Sequence, residues 1–230
     1  MPKAPRITPE LFRFFEELAA HNERDWFRAH KQRYEEVVRD PLLAFVAEFA
    51  APLRKISPHF VADPRPVGGS LFRLHRDTRF SRDKSPYKTQ AGVHFRHESG
   101  KEAYTPGFYL HLEPGRVFAG AGIWHPDAAT LGSIRTSIGE DPRAWQRVVS
   151  GKRFRDELEL RDEQPLVRVP RGFDPEHPCA EDLKRRSYVA VHDFSEKDAC
   201  RPDFPKRLAS TFAAAKPLMQ FLTRALGQPC

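Results

Sequence analysis

The chain has 230 residues, of which 40% are hydrophobic and 30% are charged, and its formal net charge is +7. These proportions are those of a globular protein and exclude a largely disordered chain. No apolar run approaches the ~20 residues of a membrane-spanning helix, and the first ten residues lack the apolar segment of a secretory signal. We therefore expect a cytoplasmic protein with no membrane partner, while the sequence indicates no particular oligomeric state.

The first quarter of the chain predicts a block of three helices. Thr8 followed by Pro9 is typical of a helix start. Asn22 is predicted to cap a second helix, and the pair Asp40-Pro41 is predicted to separate it from a third. The apolar residues that repeat at helical spacing in the first helix are Leu11, Phe14, Phe15 and Leu18.

From residue 70 to residue 124 the hydrophobic pattern alternates, which predicts an antiparallel β-meander of three or four strands. The strand segments are 89–97, 107–113 and 116–124. Thr89, Ala91, Val93 and Phe95 are predicted to share one face of the first strand. The other face carries Gly92, Gly120 and Gly122, for which close packing of a helix is favoured over the approach of a ligand.

The remaining residues predict helices at 125–139 and 141–151, strands at 165–170 and 187–194, and a final helix near 203–226. Pro217 should kink or split that helix. The chain contains no internal repeat and no convincing linker. We therefore predict a single α+β domain over residues 1–230. It has an N-terminal helical block, a central antiparallel β-meander and C-terminal helices packed on the sheet.

Neither the cysteines nor the histidines are spaced like metal ligands. The three cysteines are far apart in the sequence and are predicted to be reduced thiols. The ten histidines include no His-Glu-x-x-His and no His-x-His motif, although His94 and His111 lie on neighbouring predicted strands. We predict no metal and no cofactor.

The segment 73–88, RLHRDTRFSRDKSPYK, concentrates cations around only two carboxylates. Arginine's planar fork binds phosphate or carboxylate bidentately, and lysine adds a mobile charge, so the segment predicts a cradle for an anion. Asp77 and Asp83 would orient the cations or act as acid–base groups, and Tyr87 would close the pocket; these three are the candidate catalytic residues. The candidate ligand-binding residues are Arg73, Arg76, Arg79, Lys84 and Lys88.

A purely structural interpretation of the same segment stays open. Asp77 and Asp83 would then pair internally with the neighbouring cations and hold a long loop against the sheet, with Phe80 as its apolar anchor. The directions of the arginine side chains distinguish the two interpretations, because a binding site requires them to converge on an open cavity.

The segment resembles the signature of the uncharacterised bacterial family called domain of unknown function 2461. The resemblance extends from LFRFFEELAAHNERDWF near the N-terminus through GFYLHLEPG and AGAGIWHPD to PRGFDPEHP, which is nearly the whole chain. It implies no reaction and no ligand. The residues that match the signature are Arg73, Arg76, Asp77, Arg79, Phe80, Asp83, Lys84 and Tyr87.

Three hypotheses about function follow from these residues. The leading one is a protein, with catalysis left open, that binds a phosphorylated small molecule or nucleotide through segment 73–88. The second is a non-catalytic nucleic-acid-binding module in which Lys184, Arg185 and Arg186 join that segment. The third is a structural ion network in a protein-interaction domain.

Overall fold

Residues 7–79, 81–100 and 105–230 are described by the structure, which is a computed structural model. Its N-terminal block begins as predicted, with Thr8 as the N-cap residue and Pro9 in the first turn. Leu11 and Leu18 of the first helix are fully buried, in agreement with their helical spacing. The helices are α1 (Pro9–Ala20), α2 (Arg24–Tyr34) and α3 (Asp40–Ile56).

Two predicted boundaries in this block are wrong. Glu23, and not Asn22, is the N-cap residue of α2. Moreover, α2 and α3 are not separated, because a π-helical turn at Glu35–Arg39 joins them directly. Pro41 has no N–H to donate back to the preceding turn, and the wider π-helical turn takes up this irregularity so that the helix continues.

The central antiparallel sheet is present, and its six strands within the described residues have the order β1-β2-β3-β4-β6-β5. The predicted strand at 165–170 is wrong, since prolines at both ends of that segment cannot donate to a strand ladder, and the residues are irregular. A strand that was not predicted precedes them and pairs with β6. The strands are β1 (Phe60–Val61), β2 (Ala91–His97), β3 (Gly107–Glu113), β4 (Arg116–Ile123), β5 (Glu159–Arg161) and β6 (Tyr188–Phe194).

The helices after β4 begin at residues that the sequence indicates. Asp127 and Asp141 cap α4 and α5, accepting hydrogen bonds of 2.7 and 2.9 Å from Thr130 and Ala144. The split expected at Pro217 is observed, between α9 and α10. The helices are α4 (Ala128–Glu140), α5 (Pro142–Ser150), α6 (Lys152–Glu157), α7 (Ala180–Leu183), α8 (Glu196–Ala199), α9 (Phe204–Ala214) and α10 (Lys216–Ala225). Within the described ranges, none of the helices has the length and apolar character needed to cross a bilayer.

The main core lies between one face of the sheet and the helices. Phe212 of α9 is at its centre, with its ring centroid 5.9 Å from that of Phe49 on α3 and 4.7 Å from that of Phe108 on β3. Val93 and Phe95 of β2 are fully buried on the same face, as their alternation predicts. The α+β architecture, with C-terminal helices packed on a central antiparallel sheet, is therefore confirmed.

The opposite face of the sheet, here called the outer face, carries the strand glycines. A Cβ atom on Gly92 would lie 2.6 Å from the Tyr109 hydroxyl and 3.0 Å from the Phe72 ring. Gly122 has a φ of +137°, and a Cβ there would lie 1.9 Å from the carbonyl oxygen of Tyr188. The atoms nearest these glycines belong to strands and to the segment before β2, so the predicted packing of a helix against them is wrong.

Candidate functional site

The cation-rich segment leaves the edge of the sheet as a hairpin. Residues 70–76 run antiparallel to residues 86–94, through backbone hydrogen bonds of 2.7 to 2.9 Å and a bridge between His75 and Tyr87. Residues 77–79 and 81–85 therefore belong to a loop, here called the cationic loop, that projects beyond the first residue of β2. This agrees with the predicted strand that runs into a loop.

Tyr87 fixes the returning side of this hairpin to the helical block. The side-chain amide of Asn22, in the turn between α1 and α2, donates to the Tyr87 carbonyl at 2.9 Å and accepts from the Tyr87 N–H at 3.1 Å. The Tyr87 ring is only 6% exposed. It lies 4.3 Å from the Phe27 ring and 5.1 Å from the His75 ring, measured between centroids. Tyr87 thus joins α2 to the hairpin as a wall residue, with little of its ring open to solvent.

Both candidate catalytic carboxylates pair with arginines. Asp83 accepts from Ser85 and from Arg76, and these hydrogen bonds hold the pKa of its carboxyl well below the usual range. The guanidinium of Arg79 donates to Asp77 at 2.7 Å and lowers the pKa of Asp77 to about 2. Carboxylates that stay ionised near neutral pH suit the orientation of cations better than the transfer of protons.

A cleft of about 790 Å³ separates the cationic loop from α2. Arg76 and Lys84 line it from the loop side, where the Lys84 ammonium also donates to the Thr78 carbonyl at 2.9 Å. Glu23 is the one carboxylate among the described residues that line the cleft. The cations that line it from α2 are Arg24, Arg28 and Lys31.

The first turn of α2 adds a further feature that favours anions. Glu23, its N-cap residue, makes no side-chain cap. The first N–H groups of a helix lack intrahelical partners, and the helix dipole places partial positive charge beside them. Because Glu23 and Arg24 both line the cleft, this helix end borders the same space as the cations.

A second, smaller cleft of about 550 Å³ lies on the other side of the cationic loop. It is lined by Lys88 but also by both carboxylates, Asp77 and Asp83. Arg76 and Tyr87 line both clefts. The carboxylates make this second cleft less suited to an anion than the first one.

Several predicted site residues lie elsewhere. Arg73 is exposed and is not among the residues lining either cleft. Arg79 pairs with Asp77 and its side chain is 77% exposed, also away from the first cleft. Phe80, the predicted apolar anchor of the loop, lies outside the described residues.

The cations at 184–186 do not join segment 73–88. They precede Tyr188, the first residue of β6. Lys88 precedes the first residue of β2, and the register through β3 and β4 aligns that residue with Phe194 at the other end of β6. Six residues of extended strand separate those two ends by about 20 Å. Lys184 and Arg185 also pair with carboxylates on α7 at 2.6 and 2.9 Å. The combined basic patch of the second hypothesis is therefore not formed.

The sequence interpretation missed the contribution of α2. Arg24, Arg28 and Lys31 follow the spacing i, i+4, i+7, which places three cations on one helix face, and this signal was available in the sequence. The role of Asn22 had no such signal, because its partner, Tyr87, is 65 residues away in the chain.

In the part of the chain that the structure describes, no group of three or more His, Cys, Asp or Glu side chains has an arrangement that could hold a metal ion. His94 lies opposite Tyr109 and His111 opposite Gly92, so the two histidines are not direct cross-strand partners.

Comparison with curated proteins finds no match to the chain. The sequence profile of one family matches residues 10–221, which span both sides of the cleft, the sheet and all but about the last turn of α10. The chain therefore belongs to the family DUF2461, described as a conserved hypothetical protein.

Proposed function

We propose that the protein binds a phosphorylated small molecule or nucleotide in the cleft between α2 and the cationic loop. The observation that carries the proposal is that five cations from two separate elements line one cleft with a single carboxylate among its described residues. Opposite charge on a ligand would relieve the repulsion among these cations, and arginine forks match phosphate oxygens. The five cations are Arg24, Arg28, Lys31, Arg76 and Lys84.

The ion pairs that these cations already make can yield to a ligand. Arg28 pairs with Asp25 at 3.1 Å, but the two side chains are 79% and 89% exposed. Pairs of this kind contribute little, because water screens them. Arg76 pairs with Asp83, which is itself 56% exposed, so a phosphate oxygen can share or replace that carboxylate.

The aromatic wall of the cleft favours a phosphate ester over inorganic phosphate. His75 is exposed at the rim, with the rings of Phe27 and Tyr87 behind it. A sugar or base attached to the phosphate would pack on the exposed His75 ring, since Phe27 and Tyr87 are themselves buried. The proposal includes no catalytic step. Asp77 and Asp83 are held ionised, and they line the second cleft instead of the first.

Arg28→Ala tests the proposal without disturbing the loop. We expect a panel of nucleotides and sugar phosphates, titrated calorimetrically at low salt, to include ligands of the wild type. We expect their affinity to fall about tenfold in the variant, since a charge-assisted contact contributes on the order of 1.5 kcal/mol. Arg13→Ala is the control, because it removes an exposed arginine of α1 that lies outside the cleft. It should leave ligand affinity within about twofold of the wild type.

Arg73→Ala distinguishes a site in this cleft from a site built on the whole of segment 73–88. The cleft proposal expects almost no change, whereas a site built on the whole segment 73–88 expects a loss like that of Arg28→Ala. A folded wild type that binds no member of the panel would refute the proposal.

A further inference from the structure

On the outer face of the sheet lies a contiguous group of rings, here called the aromatic patch, formed by Phe72, Tyr109, His111 and Phe118. Phe72 lies 6.0 Å from Tyr109, and Tyr109 lies 5.8 Å from Phe118, measured between centroids. His111 stacks on Phe118 at 4.6 Å with 15° between the planes. Phe72 is 45% exposed, while Tyr109 and Phe118 are half-buried. His111 is buried, so Phe72 is the ring of the patch that is most open to solvent.

A hydrogen-bonded chain along β3 fixes the middle of the patch. The Tyr109 hydroxyl lies 3.0 Å from His111 Nδ1, and His111 Nε2 lies 3.0 Å from a carboxylate oxygen of Glu113. Burial lowers the pKa of His111, so the neutral ring donates its Nε2–H to Glu113 and accepts from Tyr109. The charge of Glu113 is therefore directed at His111, and the rings are held in one orientation.

Gly92 makes room for the patch. It lies directly opposite His111, and a Cβ atom there would come within 2.6 Å of the Tyr109 hydroxyl and 3.0 Å of Phe72. Glycine in a strand interior loses side-chain packing and costs conformational entropy. Glycine at position 92 therefore leaves the space that Tyr109 and Phe72 occupy, at that cost in packing and entropy.

Two cations border the patch on opposite sides. The Lys88 ammonium lies 5.4 Å from the centroid of Phe72, and the Arg116 guanidinium lies 5.1 Å from that of Phe118. Among the residues that the structure describes, neither has a carboxylate partner within 4.0 Å. Asp193, across from Phe118, is already paired with Arg161 through bonds of 3.0 and 2.5 Å.

We propose that the aromatic patch binds single-stranded nucleic acid. A base would stack on Phe72, the exposed ring of the patch, and phosphates would lie against Lys88 and Arg116. An exposed ring with cations beside it is the combination by which sheet surfaces hold single strands, because every base has a π-face. A duplex hides its base faces and would bind weakly here. The residues of the patch and its two cations are not among those that line the first cleft, so the proposal does not depend on the proposed function.

Phe72→Leu is the main test, because leucine keeps an apolar side chain at this exposed position but has no ring. Fluorescence anisotropy with labelled (dT)12 should show binding by the wild type at 50 mM salt. Affinity should fall about tenfold in Phe72→Leu and be retained in Phe72→Tyr. Arg116→Gln should make the slope of log affinity against log salt shallower by about 0.7, the contribution of one phosphate on a single strand.

A ring outside the patch supplies the control. Trp124, the residue after β4, is 66% exposed and lies six residues along the chain from Phe118, which is about 20 Å in extended backbone. Trp124→Leu should change affinity less than twofold. Absence of binding to (dT)12, equal binding of a duplex of the same length, or an unchanged affinity in Phe72→Leu would each overturn the proposal. Circular dichroism spectra that match the wild type would show that the variants are folded.

Discussion

Phe212→Ala is expected to lower the free energy of unfolding by about 3–5 kcal/mol, the range for deleting a fully buried phenylalanine side chain. Phe212 is 1% exposed. Its ring contacts Phe49 from α3 and both Phe95 and Phe108 from the sheet. Alanine would leave a cavity between three elements that cannot all move inwards. Urea denaturation followed by circular dichroism measures the change.

The matched control is Phe72→Ala, the same substitution at a ring that is 45% exposed. We expect a loss below about 1 kcal/mol there, because much of that surface is in contact with water in the folded protein too. If Phe212→Ala lost less than about 1 kcal/mol, the helices would not be packed on the sheet as described.

The strands and most helices were predictable because their side chains alternate or repeat locally. Val93 and Phe95 alternate with outward residues, and that pattern depends on the strand alone. The π-helical turn at Glu35–Arg39 was not predictable, since Asp40-Pro41 resembles an ordinary helix boundary. Likewise β5 has only three residues and exists because β6 offers it a partner.

The candidate site was predictable only in its loop half. The cation excess of segment 73–88 located Arg76 and Lys84, but it equally suggested Arg73 and Arg79, which lie outside the first cleft. Whether an arginine or lysine of this segment lines the first cleft is decided by the direction of its side chain. That direction depends on how the hairpin packs against α2. That packing is set by contacts over many residues of chain separation, such as Phe27 with Tyr87.

Asn22→Ala addresses the connection on which the first cleft depends. The asparagine side chain holds an NH2 donor group and a carbonyl acceptor in fixed geometry, and the backbone of Tyr87 bonds to both. Alanine would leave a part-buried N–H and carbonyl without these partners, at a cost of about 1–3 kcal/mol. The hairpin would also be less firmly held against α2. The cations on the two sides of the first cleft would then no longer face one another.

We therefore expect Asn22→Ala to lower stability by about 2 kcal/mol and to weaken ligand binding in the cleft more than Arg28→Ala does. Thermal unfolding and calorimetric titration measure the two effects on the same protein. Gln32→Ala is the control, because its amide on α2 bonds only to the exposed Glu36 in the described structure. It should change stability by less than about 0.5 kcal/mol. The distance between the cations of α2 and those of the loop side decides whether one phosphate group can reach both. An Asn22→Ala variant with unchanged ligand affinity would therefore show that α2 and the loop do not act as one site.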